Sequence, residues 1–316
     1  MKSEKLDCYE VITQRIIDTL NAGTVPWTKP WKSTGGFPKN LVSKKEYRGM
    51  NAFLLHAMNY ESPYWVTFKQ ALELGGNVRK GEKATPIIFW KKWEKVDKTT
   101  GDKSSIPMMR FYYVFNVAQC DGLKNLFGEQ VTGETLPETP AEISGDYSQA
   151  ENIIAGFKNC PVIKHGMKRA YYSPGGDYVG MPDNAQFSSI GHYYATLFHE
   201  LTHSTGHVSR LARKTIVDQE FAFGDANYSK EELVAEMGSA FLCGLSGISE
   251  TGNIMENSAA YIAGWLKALR NDKKLVIQAA GLAQKAVDHI YGTQYEETET
   301  TAATVPAETT GELIAA

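Results

Sequence analysis

Residues 128–146 (GEQVTGETLPETPAEISGD) combine acids, Thr, Pro and Gly with almost no large apolar side chains. Such a stretch cannot bury enough surface to offset the entropy of ordering it. No core runs through it, so it reads as an acidic linker between a front body, residues 1–127, and a back body, residues 147–292. A second low-complexity stretch, 293–316, has the composition of a disordered acidic tail.

The two bodies differ in charge. The 316-residue chain has a formal net charge of −3, which taken alone disfavours a nucleic-acid binder. Residues 1–125, however, carry 20 Lys+Arg against 12 Asp+Glu, a net of +8, and the remainder carries 13 against 24, a net of −11. Five of the six tryptophans (Trp27, Trp31, Trp65, Trp90, Trp93) also lie in front. With 42% hydrophobic and 22% charged residues the chain has the make-up of a globular protein, neither fibrous nor wholly disordered. No apolar run approaches the roughly 18 residues of a membrane span, and the N-terminus lacks a secretory pattern. Cys8, Cys120, Cys160 and Cys243 are too scattered for a disulfide framework. The expectation is a cytoplasmic protein without a membrane partner.

Periodicity sketches an α+β chain. Leu6, Tyr9, Ile12, Ile16 and Leu20 recur at helical spacing, with Gly23 as a stop. Segments 49–60 and 66–74 read as short helices, and 84–96 with 108–117 as a β-hairpin. In the back body 150–159, 191–204, 229–246, 254–270 and 273–291 read as helices, and AYYSPGGDYVGMP (170–182) as two short strands about a Pro-Gly-Gly turn. The fold expected is a small α+β domain followed by a mainly helical domain with a short sheet.

The sharpest motif is His199-Glu200-Leu201-Thr202-His203, preceded by the apolar run YYATLF. Positions i and i+4 share a helix face, so both histidines can reach one ion. Glu200 stands beside them, where a carboxylate can take a proton from water that the ion activates. A catalytic zinc commonly takes a third protein ligand. His207 is one candidate, yet the metzincin pattern wants a histidine three residues after Gly206, where Ser209 stands. The helix YSKEELVAEMGSAFLCGL is the better source, because carboxylates among small and apolar residues are costly unless paired or metal-bound. Gluzincin-type peptidases use a downstream Glu followed by a small residue three positions on, and Glu232-x-x-Ala235 fits. Glu232 is therefore assigned as third ligand and Glu236 as partner to a ligand histidine, with the reverse left open. Glu231 suits the first turn of a helix through the macrodipole. In peptidases of this architecture an edge strand near the metal holds the substrate; residues 170–182 are the natural choice, with Tyr171, Tyr172 or Tyr178 as donors to an oxyanion.

The front body pairs cations with rings, as single-stranded nucleic acid demands for phosphates and stacked bases. The clusters are Trp27/Lys29/Trp31, Lys44/Lys45/Arg48, Arg79/Lys80/Lys83 and Trp90/Lys92. The bland alternative is that the tryptophans build a core and the lysines solvate its surface. No helix-turn-helix, zinc-finger or basic-zipper pattern for duplex DNA is present.

Taken together, VPWTKPW, YRGMNAFLL, YWVTFKQALELGGNVRKGEKATPIIFW and FYYVFNVAQC in front, and FHELTHSTGHVSRL and YSKEELVAEMGSAFLCG behind, resemble the ArdC family of antirestriction proteins. The resemblance covers about residues 4–290. It implies an N-terminal single-stranded-DNA-binding domain joined to a zincin-like metallopeptidase domain, protecting mobile-element DNA such as a plasmid's from restriction enzymes. On that reading one Zn2+ per chain, or another divalent metal such as manganese, sits on His199, His203 and Glu232, and Glu200 activates water. The substrate would be a host protein, such as a restriction or DNA-bound protein. Two rivals use the same parts: a DNA-tethered protease acting on DNA-bound proteins, and a coating protein with a non-catalytic metal.

Overall fold

The computed structural model describes residues 7–27, 36–96, 103–123, 146–218, 226–248 and 259–293; the side chains of 90–108, 226–229 and 259 are left aside. The expected linker, apart from its last residue, and the tail beyond Thr293 lie outside these residues, as do Lys29 and Trp31.

The chain is α+β. Helix α1 (Cys8–Asn21) is capped by the Asp7 carboxylate, which accepts from the Tyr9 N–H, and buries Ile12, Ile16, Ile17 and Leu20. Gly23, at φ +78°, turns the chain out of it, as Gly75 does after α3. Strand β1 (Lys39–Asn40) and helix α2 (Met50–His56) follow. The expected helix over 66–74 divides into strand β2 (Tyr64–Val66) and helix α3 (Phe68–Glu73), because Thr67 caps α3 and pairs reciprocally with Gln70. Strands β3 (Asn77–Val78), β4 (Thr85–Val96), β5 (Lys103–Asn116) and β6 (Cys120–Asp121) complete the front body, with a 3-10 turn at Val117–Gln119. The anticipated hairpin is β4–β5, in register from Thr85–Val114 to Val96–Lys103. It extends into a sheet of order β1-β2-β5-β4, beside a two-stranded β3-β6 pair. Asn51 fastens α2 to this sheet by donating to the Ile88 carbonyl and accepting from its N–H.

Behind lie α4 (Ser148–Gly156), β7 (Val162–Lys164), β8 (Tyr171–Ser173), β9 (Tyr178–Gly180), α5 (Ile190–Ser204), a short α6 (Lys214–Val217), α7 (Ala226–Ser246), α8 (Ala259–Asn271) and α9 (Leu275–Tyr291). A 3-10 turn at Asn184–Gln186 precedes α5. The small sheet has the order β7-β9-β8, with β7–β9 parallel and β8–β9 antiparallel.

One apolar core spans both bodies. Ile12, Ile16, Leu20, Trp27 and Phe53 from the front share a cluster with Phe198, Phe241, Trp265 and Val287 from the back. Phe53 is fully buried, its ring centroid 4.5 Å from that of Phe241. Polar bonds reinforce the seam. Arg48 pairs with Asp288 at 2.5 Å, the Gly49 N–H donates to Gln284 at 2.9 Å, and Lys273 pairs with Asp7 at 2.5 Å. Two compositionally distinct halves are thus welded together rather than tethered.

A shared core ties the stability of the halves together. Phe53→Ala is expected to cost about 3–5 kcal/mol and to move a single urea transition, followed by tryptophan fluorescence and by circular dichroism. Two separate transitions, with only the earlier one displaced, would contradict a shared core.

Candidate metal centre

Helix α5 begins at Ser189, whose hydroxyl accepts from the His192 N–H, and runs through the buried Tyr193, Tyr194, Ala195, Leu197, Phe198 and Leu201. One face of this apolar helix crosses α7. Gly238 makes the crossing close, since a Cβ there would lie 2.5 Å from the Thr202 methyl group. Ser239 donates to the Ala195 carbonyl at 2.7 Å and fixes the helices along their length.

The crossing brings His199, His203 and Glu232 together. Their donor atoms all lie within 4.8 Å of one another. The two Nε2 atoms stand 3.1 Å apart, and each lies 3.5 Å from an oxygen of Glu232. Bonds of about 2.0–2.1 Å to a tetrahedral ion imply ligand–ligand separations of about 3.3 Å, so the triangle has the dimensions of one face of such a site. Glu200, next to His199 in sequence, is 8% exposed, whereas the His199 and Glu232 side chains are 23% and 28% exposed. The trio is partly open to solvent.

Charge favours a cation here. Burial works against charging His199, but its hydrogen bond to Glu232 and the carboxylates of Glu200, Glu232 and Glu236 outweigh burial and lift the imidazole to about 9. An environment that stabilises an imidazolium also suits a divalent ion competing for the same nitrogen.

The partner of His203 is Glu231, a role the sequence reading gives to Glu236. His203 Nδ1 lies 3.3 Å from Glu231, and donation there leaves the Nε2 lone pair facing Glu232. Glu231 also receives Arg213 at 2.6 and 3.1 Å and the Thr215 hydroxyl. Arg213 reaches on to the carbonyls of Thr202 and His203 and to the Thr205 hydroxyl. Burial would raise the Glu231 carboxyl, but His203 and Arg213 hold it down at about 2. Nothing in the sequence marks Arg213 or Thr215 for this task. They act through a fold-back after α5 that has no periodic signal.

Glu236 points to the other wall, where its Oε2 accepts from Trp27 Nε1 at 2.7 Å and from the Tyr261 hydroxyl. Burial raises this carboxyl to about 7 against the opposing pull of Tyr261, His199 and Trp27. His207 is not among the grouped donors; its Nδ1 lies 2.8 Å from the Ser209 hydroxyl and 3.8 Å from Asp177. The tyrosines proposed for an oxyanion are engaged elsewhere. Tyr171 and Tyr178 bond each other at 3.1 Å, and Tyr172 donates to Asp177 at 2.8 Å. Strand β8 does lie at an edge of its sheet and packs on α5.

The residues nominated for DNA separate into groups. Trp27 is 1% exposed, edge-on to Trp265 with centroids 5.7 Å apart, and is unavailable for stacking on a base. Arg48 is committed to Asp288, and Arg79 to Glu82, Asp121 and the Ala118 carbonyl. Lys44, Lys45, Lys80 and Lys83 are exposed. Lys29 and Trp31, and the side chains of Trp90 and Lys92, lie outside what is described. No helix among the described residues is long and apolar enough to cross a membrane.

A zincin-like helix pair bearing a two-histidine, one-carboxylate centre defines the class. Comparison with known proteins agrees. Residues 148–282 match the zincin-like metallopeptidase family and residues 6–115 the N-terminal domain of anti-restriction factor ArdC. The crystal structure of the antirestriction protein ArdC from plasmid R388 is 38% identical in both its metal-free and Mn(II)-bound forms. The TM-scores are 0.69 and 0.71; the match covers 90% and 91% of this chain, and 97% and 98% of that one. The uncharacterized protein y4eC of Sinorhizobium fredii is 35% identical over 91% of this chain and 92% of its own length. The DNA primase TraC of Escherichia coli is 37% identical over 98% of this chain, which spans only 29% of that protein. The chain belongs to the ArdC family of antirestriction proteins. Its centre is suited to a divalent metal.

Two measurements test the inner geometry. Glu231→Gln is expected to weaken metal binding about 10–100-fold, read by competition with a chromogenic chelator; unchanged affinity would remove Glu231 from the site. The depressed Glu231 carboxyl contributes stability that is present above its ordinary value near 4.5 and is lost as pH falls towards about 2. Acid unfolding of the metal-free chain should therefore fall in that window, and be blunted there in Glu231→Gln.

Proposed function

We propose that this chain shields incoming mobile-element DNA from host restriction enzymes, holding single-stranded DNA on its front body and hydrolysing peptide bonds at a zinc centre in its back body. The observation carrying the hydrolytic part is the triangle of donor atoms on His199, His203 and Glu232 at tetrahedral spacing. Two imidazoles and one carboxylate are a ligand set that catalytic zinc commonly takes. A bound zinc ion supplies Lewis-acid chemistry, making a water acidic near neutral pH and polarising a carbonyl.

This chain's residues do the rest. Glu231 holds His203 by Nδ1, which would leave Nε2, on the side of Glu232, free to bind an ion held by His199, His203 and Glu232. Glu200 accepts the proton of the attacking water as the carbon–oxygen bond forms, then returns it to the amine as the carbon–nitrogen bond breaks. A pure coating protein has no use for a buried carboxylate at that position. The protein substrate belongs to the restriction or DNA-bound proteins of the recipient cytoplasm. A DNA-tethered protease acting on such proteins uses the same parts, and the insertion of Trp27 beside Glu236 favours one unit in which DNA holding and the cleft are joined.

Support for nucleic acid is the +8 charge of residues 1–125 and their wealth of rings. The acidic back body, repelled by phosphates, leaves its cleft free for protein.

Glu200→Gln should keep one metal per chain and lose hydrolysis of a co-expressed restriction protein by about 10²–10⁴-fold, while His199→Ala should bind no stoichiometric metal. Plasmid transfer into a restricting host completes the test. Full protection by Glu200→Gln would show that the hydrolytic part is wrong.

A further inference from the structure

The outward face of the small sheet takes no part in the metal centre. Strand alternation sends Ile163, Tyr172 and Val179 into the shared core. The opposite face carries two rows across the three strands, Lys164–Gly180–Tyr171 and Val162–Tyr178–Ser173. Glycines let the rings lie close to the backbone. A Cβ at Gly180 would meet the Tyr171 ring at 2.7 Å, and one at Gly176 would meet the Tyr178 ring at 2.8 Å. The two rings stand edge to face with centroids 5.9 Å apart and hydroxyls bonded at 3.1 Å. Lys164 Nζ lies 3.7 Å from the Tyr178 centroid, and Val162, directly across from Tyr178, is 64% exposed. The hydrogen bond with Tyr178 raises the Tyr171 phenol above its ordinary range, and the charge of nearby Arg169 opposes the rise.

Charge here runs against the surroundings. Residues 126–316 carry a net of −11, yet residues 152–176 hold Lys158, Lys164, Lys168 and Arg169 and no Asp or Glu. All four cations are exposed, and none joins an ion pair among the described residues. A cation on a ring beside an exposed aliphatic side chain matches a partner that offers carboxylates and apolar groups together. Nucleic acid fits less well. The edge-to-face rings, bonded to each other, offer no open slot for a base, and the acidic body around them repels a long run of phosphates. We propose that the face formed by Val162, Lys164, Tyr171 and Tyr178, with Arg169 at its border, docks an acidic segment of a partner protein. Binding there needs neither the metal nor Glu200, so this surface goes beyond the hydrolytic reading.

Fluorescence anisotropy of the full chain with a labelled peptide of about twelve residues, repeating Glu-Leu-Ser, tests it. The parent should bind, more weakly as salt is added. Lys164→Gln and Arg169→Gln should each weaken binding about two- to fivefold. Val162→Asp, which sets a like charge in the middle of the face, should weaken it more than about tenfold with an unchanged near-ultraviolet circular dichroism spectrum. Lys285→Gln removes an exposed cation from α9 instead and should bind like the parent. A parent that ignores the peptide, or that binds a Lys-Leu-Ser peptide equally well, overturns the assignment. So do Lys164→Gln and Arg169→Gln variants that match Lys285→Gln. Displacement of the peptide by a thymidine oligonucleotide as readily as by unlabelled peptide would identify a phosphate surface and overturn it too.

Discussion

The contact between α5 and α7 is the constraint on which the rest of the chain depends. Two histidines one turn apart define only a line; a third donor has to arrive from another element at a fixed height and angle. Gly238 admits Thr202 where any side chain would collide, and the helices close far enough for Glu232 to reach both imidazoles. The same approach buries Glu231 and Arg213, which are 4% and 6% exposed. A buried ion pair contributes little net stability, yet removing one partner strands the other charge. Its value here is geometric. Arg213 grips the last carbonyls of α5 while Glu231 fixes the His203 ring, so the helix end and the imidazole are set by one carboxylate.

The second constraint is the seam between the bodies. Trp27 leaves the front body to lie under α8 and donate to Glu236, one turn beyond Glu232 of the donor triangle. The front body thereby supplies a hydrogen-bond donor one helical turn from the grouped donors. Tyr261 bonds the same carboxylate oxygen from α8, so three elements distant in sequence converge on one side chain. A peptidase-like unit lacking its front half would expose Phe241 and Trp265 and leave Glu236 without its indole donor.

How far the sequence disclosed this depends on the kind of interaction. Local rules located the helices and the β4–β5 hairpin, because periodicity and capping act within a few residues. The histidine pair and Glu232 were legible too, since their spacing on helices is a local property. The role of Glu231 was not. On a helix wheel it sits beside Glu232, and only the crossing of α5, unreadable from either helix alone, turns it towards His203. Trp27 went astray for a related reason. A tryptophan between prolines and lysines has the composition of a stacking platform, but its burial depends on α8, more than 200 residues later.

Charge is the instructive case. The surplus of +8 in front overstates the field that a phosphate meets, because some of its cations are already paired with carboxylates of the protein itself. Arg48 answers Asp288 across the seam, and Arg79 answers Glu82 and Asp121 within its own body. The seam uses both signs from both sides, Arg48 of the front body on Asp288 and Lys273 of the back body on Asp7, so the halves are joined by individual pairs and not by their net charges. Among the described residues Lys44, Lys45, Lys80, Lys83 and Arg110 remain exposed and outside these ion pairs. What a polyanion meets is then set by which lysines lack a carboxylate partner, a property of the fold. Composition suggests the kind of partner a body suits, and the ion pairs within the fold decide which cations a partner could meet.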